Sequence, residues 1–216
     1  MAEVLTINFY SPIPVFPLPD CVLLPHITFP LHVFENRYRT MVKDSLDSDG
    51  LIAMALFSRT LSTDEYLNGS PNLRPCVCVG HIRQYEMLRD GRYLLLLQGT
   101  CRARIVREVT HAPYRKIVVE PSDLENRDTA ALMAYRTRIQ SLANDPVMNQ
   151  LDDINKVRQH LEPKRSSAAI IDGVIASLFS DKESRYMMLA ETNSIARATW
   201  LIRQMESIRA GLIQGS

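Results

Sequence analysis

The chain has 216 residues, 46% hydrophobic and 23% charged, enough apolar side chain for one or two domains with their own cores. Its 25 Lys and Arg offset 24 Asp and Glu to a net charge of +1, which argues against a strongly cationic nucleic-acid binder and against an acidic disordered tail. Four cysteines are too few for a disulfide scaffold and nine methionines suit a reducing compartment, so a cytoplasmic location is expected.

No Lys or Arg precedes Arg37, and Pro12, Pro14, Pro17 and Pro19 break any early apolar helix, so no secretory leader is expected. The longest apolar run, Leu51 to Phe57, is far shorter than the roughly 18 residues of a membrane span, and no membrane partner is expected.

From Val15 to about Pro121, short apolar runs alternate with Pro and Gly, whereas from Asn126 to Leu212 apolar residues recur at helical spacing. This predicts an α+β chain with a β-rich domain over 1–122 and a helical domain over 123–216. Ile27 to Phe34 reads as a strand that Pro30 demotes towards an edge or a bulge, and Asn36 to Leu46 as a short helix with Tyr38, Met41, Val42 and Leu46 on one face. Leu51 to Phe57 is a buried strand. Ser58 to Pro75 has no period and reads as a long functional loop. Two β-runs flank Asp90-Gly91, which predicts a two-residue type I′ hairpin with Leu88 opposite Tyr93 and Glu86 opposite Leu95. Tyr93 to Leu97, apolar on both faces, should be a central strand. Gly99 is placed to make a bulge that re-aims Arg102 and Arg104, and Tyr114 to Glu120 forms a last strand ended by Pro121.

In the second half, Leu132, Tyr135, Ile139 and Leu142 form one helical stripe, and Val147, Leu151, Ile154, Val157 and Leu161 a second after Asp145-Pro146. Pro163 precedes a third, with Ile171, Val174, Ile175 and Leu178. Ser180-Asp-Lys-Glu183 reads as a capping box, and Ser194 to Leu212 as a final helix.

The strings of nucleotide and hydrolytic chemistry, GxxxxGK[ST], GxGxxG, GxSxG and HExxH, are all missing, so no catalysis and no cofactor are expected. Cys76-Val-Cys78 with His81 lacks zinc-knuckle spacing, and its thiols read as small buried residues; His26 and His32 likewise read as structural. Between Arg74 and Glu120, nine Lys or Arg face four acids, a surplus of five, which keeps an RNA-binding face as the alternative function. No RNP-type strand or GXXG loop accompanies it.

Phe16-Pro-Leu-Pro-Asp-Cys-Val-Leu-Leu-Pro25 followed by Phe29-Pro-Leu-His-Val-Phe-Glu-Asn-Arg-Tyr-Arg39 resembles the opening of the Lon protease N-terminal, substrate-binding domain. Val79-Gly-His-Ile82, Asp90-Gly-Arg-Tyr93 and Gly99-Thr-Cys-Arg-Ala-Arg-Ile105 are similar to that family's later elements in the same order, as is Leu189-Ala-Glu-Thr192 followed by Arg197. The resemblance implies a PUA-like β pseudo-barrel followed by a helical bundle, with Pro25, Pro30, Phe34, Glu35, Arg37, Tyr38, Gly80, Asp90, Gly91, Gly99 and Arg102 as motif residues of structural role. The ATPase and Ser-Lys peptidase modules of full Lon are absent from the sequence, and His26 stands where the family usually has Gly. The expected function is a non-enzymatic module that binds unfolded polypeptide or a partner protein, in quality control or substrate recognition. Apolar pockets and strand addition at the edge near Pro30 would hold the ligand. Tyr66 and Leu67, large apolar residues of the long loop, are the expected contacts.

Overall fold

The structure, a computed structural model, describes residues 7–109, 113–122 and 128–215, without the side chains of Leu67 and Asn68. The chain divides into two compact units, 1–122 and 123–216. Among the described residues no helix is long and apolar enough to cross a membrane.

The first unit runs β1 (Ile13–Leu18), β2 (Thr28–Val33), α1 (Asn36–Leu46), β3 (Leu51–Leu56), α2 (Thr63–Asn68), β4 (Cys76–Met87), β5 (Tyr93–Val109) and β6 (Lys116–Pro121). Its sheet has the order β2-β5-β4-β3-β1-β6, and β6 returns to pair with β5, closing a barrel. Closure is possible because β5, 17 residues long, serves two partners along one side: Tyr93 to Gln98 pair with β2, and Ala103 to Val109 pair with β6. Alternate residues of the strands fill the interior, among them Ile13, Val15, Ala53, Ala55, Val77, Val79, Ala103, Ile117 and Val119. The α+β class and the barrel-then-helices order expected from the sequence are those observed.

Helix α1 has the expected bounds and buries Tyr38, Met41 and Val42. Its fourth buried residue is Ser45, not Leu46; the Ser45 hydroxyl donates to the Met41 carbonyl at 2.8 Å. Gly99 has no room for a side chain, because a Cβ there would overlap the Leu24 carbonyl. Its N–H donates to the Ile27 carbonyl and its carbonyl accepts from the His26 N–H, both at 2.8 Å. His26 takes φ 67°, the left-handed region that a glycine enters without strain. The expected bulge follows directly: Val79 pairs with Cys101 and Gly80 with Gly99, leaving Thr100 unopposed.

The hairpin differs from expectation. Leu88 N–H donates to the Arg92 carbonyl and Gly91 N–H to the Leu88 carbonyl, each at 2.8 Å, so the loop holds three residues, and Met87 lies opposite Tyr93. A type I′ turn needs positive φ at both central residues; Gly91 has φ 79° but Asp90 does not. The register therefore moves by one, which sends each side chain of distal β4 to the other face. The loop at 58–75 is also corrected. It contains α2, opened by a capping box in which Ser62 Oγ accepts from Glu65 N–H and Glu65 Oε2 accepts from Ser62 N–H.

The second unit holds α3 (Ala130–Ala143), a 3-10 turn (Pro146–Gln150), α4 (Ile154–Gln159), α5 (Ser167–Leu178), α6 (Lys182–Ala190) and α7 (Ser194–Gln214). The second predicted stripe is split, because Leu151 turns extended, with ψ 129°, between the 3-10 turn and α4. The cap of α6 is Asp181, one residue later than predicted; its carboxylate accepts the Ser184 N–H at 2.8 Å. Within α5, Asp172 and its partner Arg197 are both fully buried, 3.5 Å apart, and Arg197 also donates to the Glu191 carbonyl at 2.7 Å.

Candidate functional site

Strand β2 ends the sheet, hydrogen-bonded only to β5 among the described strands, as the proline at position 30 suggested. Its alternation is regular: Leu31 and Val33 are buried, whereas Thr28, Pro30 and His32 are exposed. On the exposed face Pro30 lies beside Leu96 and His32 beside Leu94, and β4 continues the row with Gln84 and Glu86. This face forms a concavity of about 830 Å³, bounded by Pro30, His32, Arg83, Tyr85, Leu94 and Leu96 among others. Leu94 is 41% exposed here and Leu96, two residues on, is half-buried, so apolar surface meets water at adjacent positions of one face.

Sequence reasoning passed over this surface. It placed Tyr93 to Leu97 in a central strand, and β5 does pair on both sides, but no other described element covers the Leu94 and Leu96 face. The signal was there: five consecutive apolar residues in a hairpin whose partner strand carries Arg83, Gln84 and Glu86.

The buried face of β2 leads to a smaller cavity, about 130 Å³, bounded by Phe16, Leu18, Leu31, Val33, Phe34, Glu35, Tyr38 and Tyr66. The motif residues meet here. Arg37 Nε donates to Glu35 Oε2 at 3.0 Å, its Nη2 donates to the Tyr66 carbonyl at 3.1 Å, and its guanidinium lies 4.6 Å from the Tyr38 ring centre. Tyr66 hydroxyl donates to Glu35 Oε1 at 2.8 Å, and its ring meets Phe57 edge-on. Burial, aided by the hydrogen bond to the Glu35 carboxylate, pushes the Tyr66 phenol up to about 12. Tyr38 is pushed up further, chiefly by its own burial against Phe16. Tyr66 is therefore a half-buried helix residue tied to the barrel, not a side chain of an open loop. The Leu67 side chain lies outside the described residues.

The other motif residues hold the frame. Pro25 is buried, Phe34 is 59% exposed at the rim of the smaller cavity, and Gly80 leaves room for Leu97, whose Cγ would lie 2.8 Å from a Cβ. Asp90 accepts from the Arg92 N–H and Nε in the hairpin loop, and Arg102 is buried. Of the nine basic residues between Arg74 and Glu120, Arg102 is buried, Arg92 pairs with Asp90 and Arg115 forks onto Glu108. Cys78 is buried and Cys76 half-buried, and no group of His, Cys, Asp or Glu among the described residues is arranged to hold a metal ion.

Residues 12–207 match the family described as the ATP-dependent protease La (LON) substrate-binding domain. The chain belongs to this family. Among similar proteins, the Lon protease of Erwinia amylovora is 28% identical over 90% of this chain and 24% of its own length. The Lon protease of Escherichia coli K12 is 37% identical over 43% of this chain and 12% of its own length. The chain thus spans a minor part of these Lon proteases. Two solved structures share the Lon N-terminal fold, each with TM-score 0.58. The Lon N-terminal domain protein from Xanthomonas campestris is 20% identical, covering 89% of this chain and 98% of that one. The N-terminal domain of the Mycobacterium avium complex Lon protease is 15% identical, covering 91% and 98%.

Proposed function

We propose that this chain is a non-enzymatic polypeptide-binding module, an adaptor for substrate recognition in protein quality control, working in the reducing cytoplasm. The observation that carries the reading is the concavity on β2, β5 and β4, where Leu94, Leu96 and Pro30 present apolar surface beside a few polar groups. Membership of a substrate-binding family supports the same reading. Cys21, Cys76, Cys78 and Cys101 all stand as thiols, which suits that compartment. Tyr66 enters as a wall of the smaller cavity, and its neighbour Leu67 stays with it as a proposed contact. The 1–122 unit would carry the ligand surface and the 123–216 unit would form a separate domain.

The test is fluorescence anisotropy with labelled, reduced and carboxymethylated α-lactalbumin, which stays unfolded. Leu94→Glu puts a charge on the exposed face without touching the core, and it should weaken binding by about tenfold or more with little change in melting temperature. Undiminished binding by this folded variant would remove the concavity from the reading, and no binding by the unaltered chain would remove the reading itself.

A further inference from the structure

The two cavities lie on opposite faces of β2, and Leu31 and His32 border both. Between them runs the free edge of the strand. Gly99 N–H donates to the Ile27 carbonyl, and the partners step down from Thr28 opposite Gln98. In an antiparallel ladder the bonded pairs then recur at Phe29, Leu31 and Val33, so Thr28, Pro30 and His32 turn their backbone groups outward. The edge offers three carbonyls but only two N–H groups, because proline has none. No other strand among the described residues pairs with it.

We propose that the client binds as an added strand on this outer edge, its successive side chains falling alternately into the large concavity and the small cavity. This deepens the polypeptide-binding reading and rests on it. An added strand directs alternate side chains to the two faces of the sheet. One set then meets Pro30 and His32 on the concave face, with Leu94 and Leu96 beside them, a surface wide enough for large aliphatic or aromatic groups. The other set meets about 130 Å³ between Phe16, Leu31, Tyr38 and Tyr66, room for one β-branched or small aliphatic side chain.

The partial charges of the edge choose the occupant. With acceptors outnumbering donors at Thr28, Pro30 and His32, the complementary ligand is a backbone that donates N–H groups at alternate residues. A prolyl residue at a facing position of the client removes the donor that the edge needs. The client class is thus an extended segment of about five or six residues, the length of β2, with large and β-branched residues alternating and no proline on the facing set.

The probe is a fluorescein-labelled nonapeptide of alternating leucine and threonine, flanked by lysines, measured beside two isomers N-methylated on one or the other alternate set of amides. Strand addition uses only one set, so one isomer should lose about tenfold or more in affinity while the other stays within about twofold of the parent. The identity of the losing isomer gives the direction of the added strand. Equal losses, or no loss in either isomer, overturn the added strand. If the nonapeptide fails while unfolded α-lactalbumin binds, strand addition falls and the polypeptide-binding reading stands; if neither binds, both fall.

Discussion

The guanidinium of Arg39 occupies the space that a side chain on Gly91 would need, its Cζ only 3.0 Å from the position of a Cβ. The two residues come from α1 and from the β4–β5 hairpin loop, and since a guanidinium can swing aside, the main cost of a side chain at Gly91 falls on the backbone. Gly91 also takes φ 79°, where a Cβ is strained by about 1–2 kcal/mol. Gly91→Val should therefore lower the midpoint of urea unfolding clearly, whereas Arg92→Lys, at an exposed ion pair, should leave it unchanged. Equal midpoints for the two variants would contradict the loop described.

Tyr66 contributes through its hydroxyl and its ring separately. Tyr66→Phe removes the 2.8 Å bond to Glu35 and should destabilise by about 1 kcal/mol, while Tyr66→Ala also forfeits the packing on Phe57 and should destabilise by roughly 2 kcal/mol. Denaturant titration of both variants checks the order. An unaffected Tyr66→Ala would return this residue to the open loop that the sequence suggested.

His160 gives the helical unit a dependence on acid. Its ring is half-buried against Gly173, whose Cβ would lie 2.5 Å from the ring Cγ, and Arg165 approaches Nδ1 at 3.3 Å. Burial first, then the Arg165 charge, hold its proton affinity below the ordinary 6.5, with Glu162 opposing. The unfolded chain therefore takes up a proton before the folded one does. The stability is complete above pH 6.5 and declines as pH falls towards the depressed folded value. Melting temperature should drop between pH 7 and pH 5, and His160→Asn should flatten that slope; an unchanged slope would place the titrating group elsewhere.

Asp172 and Arg197 have no access to water, and breaking such a pair strands a charge in the core. Asp172→Asn or Arg197→Met alone should cost about 3–5 kcal/mol, and the combined apolar replacement Asp172→Leu with Arg197→Met should recover a large part of that loss. Calorimetry of the three variants measures the coupling. Additive losses would mean that the two side chains act independently.

What was legible in the sequence depended on how local its cause was. The bounds of α1 follow from one apolar stripe, and the edge position of β2 follows from the missing N–H of Pro30. Strand β1 hid behind Pro14 and Pro17, and its parallel pairing with β3, Val15 beside Ala53, joins segments far apart in the chain. The capping box of α2 was readable as Ser62-Thr-Asp-Glu65, but no apolar stripe follows it to announce a helix. The hairpin register turned on a single dihedral at Asp90, and the concavity on which element covers Leu94 and Leu96; both are settled by tertiary contacts.

The two-partner arrangement along β5 sets an order in time. During synthesis β1 to β5 emerge first, yet β1 and the far half of β5 keep unpaired edges until Lys116 to Pro121 arrive to join both. A nascent chain halted before that point exposes two open strand edges and a barrel seam lined by Val15, Ala103 and Ile105. The last strand of the barrel is thus also its fastener: the edges of β1 and of the far half of β5 are covered only when its six residues have left the ribosome, and the outer edge of β2 alone stays open among the described strands.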